Sequence, residues 1–404
     1  MKAGTGYAAP AVASNRLIYF HRIGDKQTVD CLHPETGRPH WRFSYASQYK
    51  DRFGFNNGPR SSPVIDEDRV FVIGPEGKLH CLDLATGRVL WQHHTSKEYN
   101  ITKTYFGVGS TPLVDGDLLI VAVGAPGPGV VAYDKRSGRV KWQVEDDWPA
   151  SYASPIPGVI YGSKRIFVFA GGDSRPPTGG LLSVNPLDGR IDFRFPWRAK
   201  SYESVNAASP VVIGNRVFIS TAYKKGGVLL EIQPNGSAKL AWTTLQLRAH
   251  WCTPIHRDGY LYGFDGDSQN DTALVCLDWK DGREVWRKQL EWDEEVERNG
   301  EKTTMSLGLM RGSLLWADGH FLALGEMGHL LWLDLSPGGC KVLARTWLFP
   351  ARESFTLPVL SRGLLYVTQN KKGFLDPSKE RLLCYDLRPI SPAPSGAKKG
   401  SAPQ

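Results

Sequence analysis

The sequence predicts an all-β protein assembled from about eight copies of one four-stranded unit, and three observations predict it. First, Trp41, Trp91, Trp142, Trp242 and Trp286 recur at a period of roughly fifty residues, with Phe193 near the midpoint of the one large gap. That period lies in or just above the range of propeller blades. Second, each aromatic closes a copy of one hairpin: "DCLHPETGRPHW", "HCLDLATGRVLW", "VAYDKRSGRVKW" and "VCLDWKDGREVW". Third, a small residue and a proline stand upstream of each: Ala9-Pro10, Ser62-Pro63, Thr111-Pro112, Ser154-Pro155, Ser209-Pro210, Thr253-Pro254 and, more loosely, Leu357-Pro358. A degenerate copy, 312–339, carries Leu314 where the proline would be.

One unit parses completely. In "SSPVIDEDRVFVIGPEGKLHCLDLATGRVLW" the strands are "PVID", "VFVIG", "LHCLD" and "RVLW", separated by "EDR", "PEG" and "LATG" turns. Asp83 can bond forward to the turn backbone and Gly87 supplies its positive φ; Gly37, Gly138, Gly189, Gly236 and Gly282 repeat that place. Apolar residues face both sides of "LHCLD", as a sheet buried between two neighbouring sheets requires.

Radial repetition of such sheets leaves only short protected edges, so the expected fold is an eight-bladed β-propeller of four-stranded antiparallel blades. The units fall near 7–45, 61–95, 110–145, 153–198, 208–246, 252–290, 306–346 and 356–388, making one domain over 1–388 with a disordered tail over 389–404. The last unit stops at "RLLCYDLRPISP" with no fourth strand and no Trp, so the eighth blade is expected to lack its outermost strand and expose an edge.

Composition narrows the function classes. The net charge of +8 includes Lys398 and Lys399 of the tail, and no block of Lys and Arg is interleaved with aromatics, which argues against nucleic acid. The most apolar run, 117–133, is broken by Gly and Pro before it could cross a bilayer as a helix. Lys2 is followed by no continuous apolar region, so no signal peptide is read at the N-terminus. "EWDEEVERNGEK" (291–302) reads as a solvated acidic loop. A monomer is expected.

The "LDxxTGxxxW" ending and the "SSPVIDEDRVFVIGPEGKLHCLD" body resemble the PQQ-like (pyrroloquinoline quinone-like) β-propeller repeat family of the quinoprotein alcohol dehydrogenase-like superfamily. "DRFGFNNGPRSSPVID", "GPGVVAYDKRSGRVKW" and "SVNAASPVVIGNRVFIS" are similar to its bacterial, planctomycete-type members, and the resemblance covers almost all of 1–388. It implies two functions. One is a PQQ- and Ca²⁺-dependent oxidoreductase, with a vicinal disulfide and an Asp/Asn/Glu set around the metal. The other is a non-catalytic binding or scaffold propeller of the cell envelope or periplasm. The chain has no adjacent cysteines and no transferable Asp/Asn/Glu set, so the scaffold is the expectation and the quinoprotein the alternative. The resemblance also implies a ring-closing strand and an export signal, both expected to be missing ahead of Met1.

Candidate chemistry reduces mostly to packing. Cys31, Cys81, Cys276 and Cys384 occupy one slot of the third strand, which holds Ala132 in unit three, and Cys252 precedes Thr253-Pro254 where other units have Ser or Ala. They read as small core residues, not as a disulfide or zinc site. "FDGDSQND", with Asp265, Asp267 and Asp271, lacks the Gly and Glu of a calcium loop and reads as a polar turn. His93-His94 reads as surface.

The segments entering each first strand should gather at one mouth of the channel. They carry Tyr7, Asn57, Arg60, Phe106, Tyr152, Asn206, His250, Trp251 and Arg352. Together these predict a polar, aromatic-lined funnel with two cations, suited to a sugar, an anionic ligand or a peptide loop of a partner protein. No pair is spaced like a nucleophile and its base, so no catalytic role is assigned.

Overall fold

The computed structural model describes residues 1, 3–101, 104–124, 127–268, 271–298, 300–377 and 379–389. The tail expected to be disordered lies, apart from its first residue, outside the described residues. The chain forms seven four-stranded antiparallel meanders, 11–46, 64–94, 113–146, 156–196, 211–244, 255–288 and 312–347, and a three-stranded eighth over 359–386. These are the blades of a propeller, in chain order around the ring.

The core consists of eight apolar clusters, one at each joint between neighbouring blades. Strand alternation explains why: in the third blade Leu119 and Val121 pack on the second, while Ile120 and Ala122 pack on the fourth. The two joints of blade 8 hold the fewest buried side chains, which makes that blade the place where the ring opens most readily.

In blades 1, 2, 3 and 5 an outer-strand tryptophan locks the blade to the next. Trp41, Trp91, Trp142 and Trp242 donate their indole N–H groups to the carbonyls of Leu84, Lys135, Pro186 and Trp279, in the third turn of the following blade. Their rings lie over that turn's glycine, so a methyl on Gly87, Gly138, Gly189 or Gly282 would fall 2.5–2.8 Å from the indole. The glycine therefore serves the joint as well as the positive φ of the turn.

At the eighth joint no tryptophan arrives among the described residues, and a methyl on Gly37 would meet nothing within 4 Å there. The carbonyl equivalent to Leu84 O is Pro34 O, and the Tyr366 hydroxyl donates to it at 3.1 Å instead. Arg388 adds an ion pair to Glu35 at 2.9 Å. The edge expected to be unpaired is partly covered. Met1 exchanges two hydrogen bonds with Leu382, Ala3 N–H donates to Glu380, and Thr5 bridges Arg22 of blade 1. Tyr366→Phe should cost about 1 kcal/mol, and amide exchange within 381–386 should accelerate more than that of any other blade.

Cys31, Cys81 and Cys276 are buried opposite Trp41, Trp91 and Trp286. Cys384 corrects the reading of the slot: it is exposed, because among the described residues blade 8 has three strands and none covers it. The acidic segment expected to be a loop is also a correction. It forms the hairpin Glu291–Arg298 with Glu301–Gly308 between blades 6 and 7. Trp292, Glu294 and Val296 alternate with exposed acids, so one face packs while the other is solvated.

Candidate functional site

The inner strands are entered from one end of the ring, and there a cavity of about 800 Å³ opens on the channel axis. Its waist is set by the residue before each entering proline. Backbone N–H groups of Ala9, Ser62, Thr111, Ser154 and Ser209 donate to the hydroxyls of Ser62, Thr111, Ser154, Ser209 and Thr253, at 2.9–3.1 Å. Each bond runs from one blade to the next, so the repeated Ser/Thr-Pro pair is an inter-blade clamp. The relay spans blades 1 to 6. In blade 7 the equivalent of Ser62 is Ser313, which lines the cavity beside Leu314, and in blade 8 it is Leu357, so this side of the wall gains apolar surface.

Above the waist runs a belt of aromatics and guanidinium groups. Phe106 contacts Tyr152 at 5.6 Å, and Arg60 lies over both Phe106 and Tyr7, at 5.4 and 5.5 Å. Tyr7 meets Phe355 at 5.5 Å, Phe355 meets Trp251 at 4.6 Å, and Arg311 covers both at 4.9–5.3 Å. Trp251, His250 and Tyr223 continue the belt at 4.8 and 5.3 Å. Phe53 and Phe55 extend it outward, 44% and 39% exposed.

The charges in this belt are compensated. Arg60 donates to Asp51 at 2.6 Å, and Arg311 forks onto Glu326 at 2.6 and 2.9 Å, both carboxylates being buried. Burial, with the Arg311 charge adding, brings His250 down to about 4, so its imidazole is neutral near pH 7. Burial and the Glu353 carboxylate, which accepts from Tyr7 at 2.7 Å, push the Tyr7 phenol up. Burial also pushes the Cys252 thiol up to about 11.

Of the residues singled out by sequence, Tyr7, Arg60, Phe106, Tyr152, His250 and Trp251 line the cavity. Asn57, Asn206 and Arg352 do not. Asn57 Oδ1 accepts from the Asp51 N–H at 2.7 Å and so orients the partner of Arg60. Asn206 is fully buried and donates to the carbonyls of Ala170 and Trp197. Arg352 is exposed, and Arg311 is the second cation of the wall. Sequence reasoning missed Arg311 because its segment lacks the proline that marks the other entries. It missed Tyr223 because that residue sits in a loop between second and third strands.

A quinone with its calcium does not fit this donor set. Ca²⁺ takes six to eight oxygen ligands, and Glu203, exposed at the rim, is the one carboxylate lining the cavity among the described residues. Among the described residues no group of three His, Cys, Asp or Glu converges on a metal position. The "FDGDSQND" acids are engaged elsewhere: buried Asp265 accepts from Arg248 and Arg287, Asp271 pairs with Arg248, and Asp267 accepts from the Tyr223 N–H.

The fold and its channel-mouth cavity define a PQQ-like β-propeller. The family model described as "Outer membrane protein assembly factor BamB" matches residues 25–288, and the chain belongs to that family. It is 23% identical over 245 residues to the outer membrane protein assembly factor BamB of Nitrosomonas eutropha, covering 56% of this chain and 50% of that protein. It is 26% identical over 155 residues to the quinoprotein alcohol dehydrogenase PedH of Pseudomonas putida, covering 38% of this chain and 24% of that one. The chain thus spans half or less of the length of these relatives. A crystal structure of quinohemoprotein alcohol dehydrogenase from Comamonas testosteroni shares the fold, with a TM-score of 0.64 at 12% identity, over 99% of this chain and 77% of its own. No helix among the described residues is long and apolar enough to cross a membrane.

Proposed function

We propose that this propeller is a non-catalytic binding or scaffold module of the bacterial cell envelope, taking a protein partner or small polar ligand at the channel mouth. One observation carries the reading: the funnel is walled by aromatic faces whose cations are already paired. That arrangement supplies contact area and hydrogen bonds without a poised acid, base or nucleophile, since His250, brought down to about 4, is uncharged and only weakly basic, Cys252 is held as the thiol and both guanidinium groups are compensated. The envelope placement is supported by the likeness to the Nitrosomonas eutropha outer membrane protein assembly factor.

The competing class is an oxidoreductase, supported by the likeness to PedH. Purified protein incubated with PQQ and Ca²⁺ distinguishes the two. Neither tight quinone retention on equilibrium dialysis nor dye-linked alcohol oxidation is expected. Retention accompanied by turnover overturns the proposal.

A further inference from the structure

We propose that the funnel receives an uncharged polypeptide loop of a partner protein, which seats an apolar side chain against blades 6 to 8 and turns its backbone carbonyls toward the hydroxyls of blades 2 to 6. This rests on the binding reading above and names the ligand class of the same site.

Electrostatics exclude the anion that two arginines suggest. The Arg60 and Arg311 guanidinium groups face Asp51 and Glu326, whose side chains are each 1% exposed, so an anion would displace a buried carboxylate to reach either cation. An entering charge would also lose its hydration in a cavity whose wall is mostly apolar. A neutral ligand meets neither cost.

Hydrogen-bond polarity selects acceptors. The hydroxyls of Ser62, Thr111, Ser154, Ser209 and Thr253 each accept a backbone N–H, and each keeps its own O–H hydrogen for the lumen. Trp251 Nε1 and Arg60 Nη1 are buried atoms with no hydrogen-bond partner in the protein, and both are donors. A wall so rich in donors fits ligand acceptors, such as the carbonyls that a tight backbone turn points outward.

The apolar features point to a polypeptide. Ala9 and Leu357 interrupt the hydroxyl arc, Leu314 stands beside Ser313 in the place of a proline, and Trp251 and Phe355 stand above this side of the wall. The wall is therefore two-sided, as a peptide turn is: carbonyls on one side, a side chain on the other. Phe53, Phe55 and Leu357, 44%, 39% and 45% exposed, carry apolar surface out of the cavity onto the rim. A small molecule in the funnel leaves that rim wet, whereas the flanks of a docked loop cover it.

The test titrates the whole chain with three probes, N-acetyl-phenylalaninamide, N-acetyl-phenylalanine and maltose, followed by saturation-transfer NMR. The amide should bind, the acid about tenfold more weakly or not at all, and maltose not detectably at equal concentration. Trp251→Phe keeps the ring and removes the unpartnered N–H, so it should weaken the amide several-fold without changing the melting temperature. Phe53→Ser with Phe55→Ser should weaken a blocked hexapeptide containing one central Phe by a larger factor than it weakens the single-residue amide. If the acid binds as tightly as the amide, or only maltose binds, the ligand class is wrong while binding at the funnel stands. Failure of all three probes on folded protein also overturns the ligand class. Quinone-dependent turnover, measured separately, is what overturns the non-catalytic reading.

Discussion

Gly87→Ala is expected to destabilise the protein by about 2–5 kcal/mol, whereas the chemically identical Gly37→Ala costs only about 1–2 kcal/mol. Both glycines occupy the same turn position with φ near +70°, at +75° and +66°. An alanine is strained in either place. The difference lies outside the turn. A methyl on Gly87 falls 2.5 Å from Trp41 Cε3, and the indole cannot withdraw without giving up its bond to Leu84 O at 2.9 Å. A methyl on Gly37 meets nothing within 4 Å, because the eighth blade supplies no tryptophan among its described residues. Guanidinium melts of the two variants measure the comparison directly. Equal midpoints for Gly37→Ala and Gly87→Ala would show that the glycine is there for its backbone alone, and that the indole contact contributes nothing to the joint.

This pair also marks how far the sequence could be read. Repeat period, strand count and blade number follow from alternation and turn residues, which are local signals, and the structure has the same units. The second duty of Gly87 was hidden because its partner, Trp41, belongs to another repeat; a turn glycine looks the same whether an indole covers it or not. Cys384 fails for the same reason in reverse. It shares a sequence slot with Cys31 and Cys81, yet burial there comes from a fourth strand that blade 8 lacks among the described residues. The 291–308 hairpin carried a legible signal that charge obscured: Trp292, Glu294 and Val296 alternate, and Asn299-Gly300 is a favoured hairpin turn sequence.

The candidate site was legible where it depends on topology and obscure where it depends on pairing. Segments before the prolines converge because every first strand is entered from the same end, which brings Arg60, Trp251 and their neighbours to one cavity. Whether an arginine there is available or compensated depends on Asp51 and Glu326, and no spacing in the sequence says so. The hydroxyls illustrate the same limit: Ser62 and Thr111 look like part of a turn motif, and only their position against the next blade makes them an inter-blade relay with hydrogens to spare.

His329→Phe is expected to raise stability modestly at neutral pH and strongly in mild acid. His329 is fully buried, stacked on Trp347 at 4.6 Å and 12° and edge-on to Trp292 at 4.9 Å, and neither ring nitrogen has a hydrogen-bond partner. The carboxylate nearest to it, Glu294, lies 3.5 Å from Nε2 and is engaged by Arg345 at 3.0 Å. Burial, with the Arg345 charge adding, brings the imidazole down to about 4; burial and Lys78 do the same for His80. An unfolded histidine titrates near 6.5. His250 is brought down likewise, so between pH 6.5 and 4 the unfolded chain binds three protons that the native chain refuses. The stability is present in full above pH 6.5 and falls with pH, by about 2 kcal/mol for each group at pH 5. Carboxylates such as Asp30, which the His21 and Arg42 hydrogen bonds hold below the usual range against the opposing effect of burial, lose their contribution only at lower pH. Above about pH 5 the histidines therefore dominate the pH dependence. Phenylalanine keeps the ring between the two tryptophans and leaves no unpaired nitrogen buried. Thermal melts of the wild type and His329→Phe across pH 7.5 to 4.5 should diverge as pH falls, with the variant retaining the His80 and His250 portions of the slope. Parallel curves would mean that His329 takes up its proton in the native state, through water or through movement of the hairpin that carries Trp292.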